Sequence, residues 1–206
     1  MKFPNKKYKN LESFFTDYTI ELTRQLKELN KKKLSNAAKL IHNTINRNKK
    51  IFVCGNGGSA SLANHMLCDY SKTLRQNTNL KPKIISLVSN LELITAISND
   101  LNYDDVFSFQ LENLCENGDL IVVFSSSGNS KNLVKLAKLA KKKKLKILSF
   151  LGFTGGYLKN KSNISIHFPI NNYGISEDCN HIVMHLILQF LKQKKISLKN
   201  IIKSTF

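Results

Sequence analysis

No apolar run in this chain approaches the roughly 20 residues that a membrane-crossing helix needs, which excludes a helical membrane span. The first residues, MKFPNKKYKN, are basic but lead into no apolar stretch, so no signal peptide is expected. The cysteines Cys54, Cys68, Cys115 and Cys179 show no C-x-x-C spacing. Free thiols in a reducing cytoplasm are therefore expected rather than a disulfide framework. Acidic residues are few, 14 against 32 Lys and Arg, for a formal net charge of +18. That balance invites a nucleic acid or a membrane surface as partner. Arginine is scarce, however, and no basic stripe is interleaved with aromatics, so the groups for base readout are missing. The abundance of Lys, Asn and Ile together fits an AT-rich genome, in which positive charge rises without a basic-patch function. Nucleic acid and membrane are set aside as partners, while an anionic small substrate would benefit from the field. Repeats and long linkers are also lacking, and 206 residues suffice for one domain with a sizeable core.

What is present centres on Leu120 to Lys144. Leu120-Ile121-Val122-Val123-Phe124 is an apolar, β-branched run that reads as a strand buried on both faces. A polar turn follows, Ser125-Ser126-Ser127-Gly128-Asn129-Ser130, and then Leu133, Leu136, Ala137, Leu139 and Ala140 at helical spacing. A hydroxyl-rich loop at a helix N-terminus offers backbone N–H groups and serine hydroxyls to a phosphate. The loop has neither the Lys of a Walker A motif nor the three glycines of a dinucleotide fold.

Around this unit, helices are predicted over about 11–29, 35–47, 60–74, 91–97, 103–115 and 176–192, and strands over 51–54, 83–88, 146–151 and 163–169. The strand Ile51–Cys54 runs into Gly55-Asn56-Gly57-Gly58-Ser59, where glycine permits close backbone approach to a ligand. Strands alternating with helices predict a three-layer, doubly wound α/β fold with a five-stranded parallel sheet and added N-terminal helices. The expected division is a helical region 1–50, a ligand-binding core 51–192 and a basic tail 193–206. In such sheets ligands bind at the carboxyl ends of strands where the strand order reverses. Special loops after Cys54 and after Phe124 thus point to one shared site.

The pieces CGNGGSASLANH (54–65), ISNDLNYDDVFS (97–108), SSSGNSKNLVKLAKLAKKKKLKIL (125–148) and EDCNHIVMH (177–185) resemble the sugar isomerase (SIS) domain family. More narrowly, they resemble its sedoheptulose-7-phosphate, or phosphoheptose, isomerases. The resemblance implies a phosphate held by Ser125, Ser126, Ser127 and Ser130. Asn56, Gly57, Gly58 and Ser59 would line the sugar, Asp100 would contact its hydroxyls, and Glu177 would stand at a further substrate position. The implied reaction interconverts ketose and aldose through an enediol and needs a base and an acid. Those roles fall on Asp69, where the family has Glu, and on His185. Asp keeps the carboxylate but shortens its reach by a methylene, and small displacements are costly in catalysis.

Some family members bind zinc, and the matching ligand positions are His65, Asp69, Glu177 and His185, with Glu177 replacing the family's usual Gln. His181 is a rival ligand, one helical turn from both Glu177 and His185. The family's Arg after the catalytic carboxylate has no counterpart in register among Ser71-Lys72-Thr73-Leu74-Arg75. An acidic–basic pair is replaced by Gly174-Ile175. These departures leave two alternatives: a non-catalytic phosphosugar sensor or partner of the replication initiator DnaA, and an isomerase for another sugar phosphate. The resemblance also implies a homotetramer, with Phe14, Phe15 and Tyr18 as interface candidates, and a role in heptose supply for surface polysaccharide.

Overall fold

The computed structural model describes residues 2–203; residue 1 and the last three residues of the basic tail lie outside the described part. Five parallel strands form one sheet: β1 (Lys50–Cys54), β2 (Lys83–Ser86), β3 (Leu120–Ser125), β4 (Lys146–Leu151) and β5 (Ile164–His167). Their order is β2-β1-β3-β4-β5. The chain steps from β1 to β2 on one side, then returns to the other side of β1 with β3. The order therefore reverses between β1 and β3, and a crevice opens beyond their carboxyl ends.

Nine helices are described: α1 (Leu11–Glu28), α2 (Lys31–Asn46), α3 (Gly58–Cys68), α4 (Leu91–Asp100), α5 (Ser108–Leu114), α6 (Lys131–Lys142), α7 (Gly156–Lys161), α8 (Tyr173–Gln193) and α9 (Leu198–Lys203). They cover both faces of the sheet, as the alternation of elements predicts. All of β3 is buried. Its Leu120, Val122 and Phe124 join α2, α3 and α8 in one core layer, which includes Ile41, Met66, Val183 and Ile187. Ile121 and Val123 face the opposite layer with Ile97, Leu111, Leu133 and Leu136 from α4, α5 and α6. Period-two alternation of a doubly apolar strand thus feeds two cores at once.

Several helix starts are set by asparagine, whose side-chain oxygen takes an otherwise orphaned N–H. Asn10 accepts from Ser13 N, Asn30 from Lys33 N, Asn90 from Leu93 N and Asn172 from Ile175 N. Asn30 and Asn172 start α2 and α8 earlier than the apolar periodicity predicts. Two predicted helices are divided. The stretch from Tyr103 begins as a 3₁₀ turn, Tyr103–Asp105, before α5. After Cys68 the chain passes into a π-helical turn, Asp69–Leu74, a rare form that recurs at functional sites.

The N-terminal segment packs on α8 rather than on the sheet. Phe3 gathers Tyr8, Phe14 and Tyr18 at ring-centroid distances of 6.1, 5.2 and 5.7 Å. The Tyr18 hydroxyl donates to Asp178 Oδ2 at 2.6 Å. Two of the three expected interface aromatics are therefore engaged within the chain, while Phe15 is 64% exposed. The four cysteines are free thiols, with Cys54 and Cys179 buried.

Asp119, 1% exposed, ties the start of β1 to the turn before β3. Its carboxylate accepts from Lys50 N and from Glu116 N, both at 2.8 Å. Removing it leaves two backbone donors without that partner, so Asp119→Ala is expected to lower stability by about 1–3 kcal/mol. A urea titration should show this as a lower midpoint with unchanged slope.

Candidate active site

The crevice between β1 and β3 holds a pocket of about 300 Å³. Its walls are Asn56, Gly57, Gly58 and Ser59 from the loop after β1, and Ser125, Ser126, Ser127 and Ser130 from the loop after β3. Tyr173 and Glu177 of α8 close it. The two loops singled out in the sequence thus meet in one cavity.

The serine loop is shaped by its glycine. Gly128 has φ +66°, and a Cβ there would stand 2.1 Å from the Gly155 carbonyl oxygen. Gly128 N donates to Ser125 Oγ at 3.0 Å, which curls the loop back over the strand end. Ser130 starts α6 without spending its side chain on a cap. The buried Ser126 hydroxyl has no partner among the described residues. Free hydroxyls at the N-terminus of a twelve-residue helix suit a phosphate dianion. Among the described residues no Lys or Arg lines this pocket, so the anion would rest on neutral donors and the helix end.

Asn56 is held from two sides. Its Nδ2 donates to Asn132 Oδ1 at 2.9 Å, and Asn132 Nδ2 donates back to Asn56 Oδ1 at 2.9 Å. The Tyr103 hydroxyl also donates to Asn56 Oδ1, at 3.0 Å. Both lone pairs of that oxygen are engaged, so toward the pocket Asn56 offers only its second N–H. It can address a sugar oxygen as a donor. Neither Asn132 nor Tyr103 is among the site residues expected from the sequence, although they lie within the 125–148 and 97–108 matches.

Asp100 does not reach this pocket. It is the exposed last residue of α4, where its Oδ1 accepts from Asn99 Nδ2 at 2.8 Å. Tyr103, from the next turn, is the group that arrives at Asn56.

The remaining expected residues meet along the seam of α3 and α8. His65 Nε2 and His185 Nε2 are 3.0 Å apart, and Asp69 Oδ2 lies 3.3 Å from the first and 3.2 Å from the second. Ligands about 2.0–2.1 Å from a tetrahedral zinc ion stand about 3.3 Å from one another. The triangle is close to one face of such a site. His181 stands beside the two histidines of that triangle: ligand nitrogens of His65, His181 and His185 lie within 4.8 Å of one another, a group that does not include Asp69. The His181 Nε2 is buried and has no hydrogen-bond partner among the described residues. Burial holds His181 below the usual imidazole range, helped by the facing rings of His185 and His65. Two to three imidazoles and a carboxylate are a donor set that fits zinc.

Glu177 departs from the expected ligand set. It is two helical turns from His185, and its carboxylate lies over Gly58 at the start of α3. Burial, with Asp178 nearby, raises its carboxyl above the usual range. His181, one turn further along α8, faces His65 at a ring-centroid distance of 4.5 Å.

Residues 14–152 match the SIS domain family, and the chain belongs to it. Within that family it falls among the phosphoheptose isomerases. It is 35% identical over 178 residues to a Thermoplasma acidophilum protein named "Probable phosphoheptose isomerase", covering 86% of this chain and 97% of that one. It is 32% identical to the phosphoheptose isomerase of Helicobacter pylori, over 78% of this chain and 83% of that one. The solved phosphoheptose isomerase of Neisseria gonorrhoeae superposes with a TM-score of 0.79 at 25% identity, covering 89% and 97% of the two chains.

Because Gly128 combines a positive φ with close backbone approach, Gly128→Ala is expected to destabilise the chain by about 1–3 kcal/mol or more. Thermal unfolding by circular dichroism would register this as a lower midpoint.

Proposed function

We propose that this protein is an aldose–ketose isomerase that interconverts sedoheptulose 7-phosphate and an aldoheptose 7-phosphate. The observation that carries this reading is the pocket in which the serine-lined N-terminus of α6 faces Tyr173 and Glu177 of α8, with Asp69 and His185 3.2 Å apart at the α3–α8 seam. The phosphate rests on Ser125, Ser126, Ser127 and Ser130. The sugar chain runs along Gly57, Gly58 and Ser59, with the free Asn56 N–H on one of its oxygens. A proton then moves between adjacent carbons through an enediol, a transfer that needs positioned groups of both kinds. The family resemblance assigns these to Asp69 and His185, whose facing atoms are 3.2 Å apart.

His65, Asp69, His181 and His185 would hold zinc. A zinc ion there would supply Lewis-acid polarisation of a sugar oxygen. The chain's exposed apolar groups, Phe15 and Ile20 on α1 and Leu186 and Phe190 on α8, would be covered in a homotetramer. A role in heptose supply for surface polysaccharide, in the cytoplasm, is consistent with this chemistry. No described helix is long and apolar enough to cross a membrane.

Incubation with sedoheptulose 7-phosphate in D₂O, followed by NMR, is expected to show an aldose anomeric signal with deuterium at C2. Saturable binding without turnover would instead favour the sensor alternative. Ser127→Ala removes one phosphate donor and should raise KM about tenfold with little change in kcat. Elemental analysis of untreated protein should find zinc near one per chain, and His65→Ala should lose it.

A further inference from the structure

Asp69 and His185 are asked for two services that compete. A lone pair that holds a metal ion cannot also take a proton, because metal ligands bind in their deprotonated form. In the structure Asp69 Oδ2, His65 Nε2 and His185 Nε2 point at one another at 3.0–3.3 Å. None of the three residues lines the phosphosugar pocket.

One carboxylate does line it, that of Glu177. A Cβ at position 58 would stand 2.6 Å from Glu177 Oε2 and 2.7 Å from Oε1. The missing side chain at Gly58 is therefore what admits this carboxylate beside the loop that receives the sugar. No hydrogen bond or ion pair with another described residue engages it. Along α8, Glu177 precedes His181 by one turn, about 6 Å, and His185 by two, about 12 Å. A sugar phosphate anchored on the serines passes Glu177 before it reaches the histidine cluster.

We propose that Glu177 is the catalytic base of the isomerisation and that the four side chains at the seam, His65, Asp69, His181 and His185, form the metal-holding group. This rests on the isomerase reading above. The Glu177 carboxylate takes one proton from C1 of the ketose. The C1–H electron pair becomes the C1=C2 bond, and the C2 carbonyl pair moves to its oxygen. Glu177 then returns its proton to C2, while the hydroxyl proton passes from O1 to the neighbouring O2. One hydrogen has moved from C1 to C2 and one from O1 to O2, so ketose becomes aldose with nothing gained or lost.

Glu177→Gln keeps the size and the hydrogen-bonding capacity of the side chain and removes only the base. Expected for Glu177→Gln is a kcat at least about 100-fold lower, with KM within about threefold of the parent, zinc content unchanged and C1–H exchange into D₂O lost. His181→Ala should lower zinc content while leaving saturable phosphosugar binding in place. Three results would overturn the assignment: Glu177→Gln with kcat within threefold of the parent, Glu177→Gln that loses its zinc, or His181→Ala that keeps full zinc content. A parent protein without turnover would overturn the isomerase reading and this assignment together. An active parent with an active Glu177→Gln would overturn this assignment alone.

Discussion

The parallel pairing of β1 with β3 is the constraint on which the site depends. Ile51 to Cys54 lie in register with Leu120 to Val123, and this ladder is the line across which the strand order reverses. Cys54 ends β1 opposite Val123 and β3 runs two residues further, so the two loops emerge side by side at the same edge of the sheet. Asp119 fixes the other end of the pair by holding the first N–H of β1. Everything chemical that follows, from the serine cradle to the clamp between Asn56 and Asn132, is built on the crevice this pairing creates.

A second layer of order comes from α3 and α8. They run past one another so that Gly58 meets Glu177 at one end, while His65 meets His181 and His185 further along. A glycine at the first contact and imidazoles at the later ones divide the seam into two zones. The first opens on the pocket and carries a carboxylate. The second carries nitrogen and oxygen donors at metal-ligand separations. The π-helical turn that begins at Asp69 follows the last of these donors on α3. The same seam therefore carries both the pocket carboxylate and a donor cluster, because side chains spaced four apart on a helix share one face.

The net charge of +18 bears on the substrate only at long range. The pocket itself has no cationic wall. A phosphate placed there would be met by hydroxyls and helix amides, which hold an anion by direction instead of by opposite charge. Lysine raises the potential around the molecule, and the loop geometry selects the group that is bound.

Much of this was legible in the sequence, and the reason is local. A strand buried on both faces must be apolar at every position, so β3 announces itself. A loop that turns sharply and binds through its backbone must be rich in Gly and Ser, so both site loops stand out between their strands and helices. Asparagine caps shifted the starts of α2 and α8, since a single side chain oxygen can extend a helix beyond its apolar stripe. Contacts across distant segments were not legible. Nothing near Asn56 in the chain tells that Asn132 and Tyr103 will hold its amide, or that Asp100 will stay outside. Nothing near Glu177 tells that Gly58 will leave room for its carboxylate, or that His181 will stand beside His65. Periodicity and turn chemistry determined the elements, their order and the serine loop. The packing of α3 against α8 decided which of the aligned carboxylates and imidazoles share a pocket, because that depends on side-chain volumes meeting across the fold.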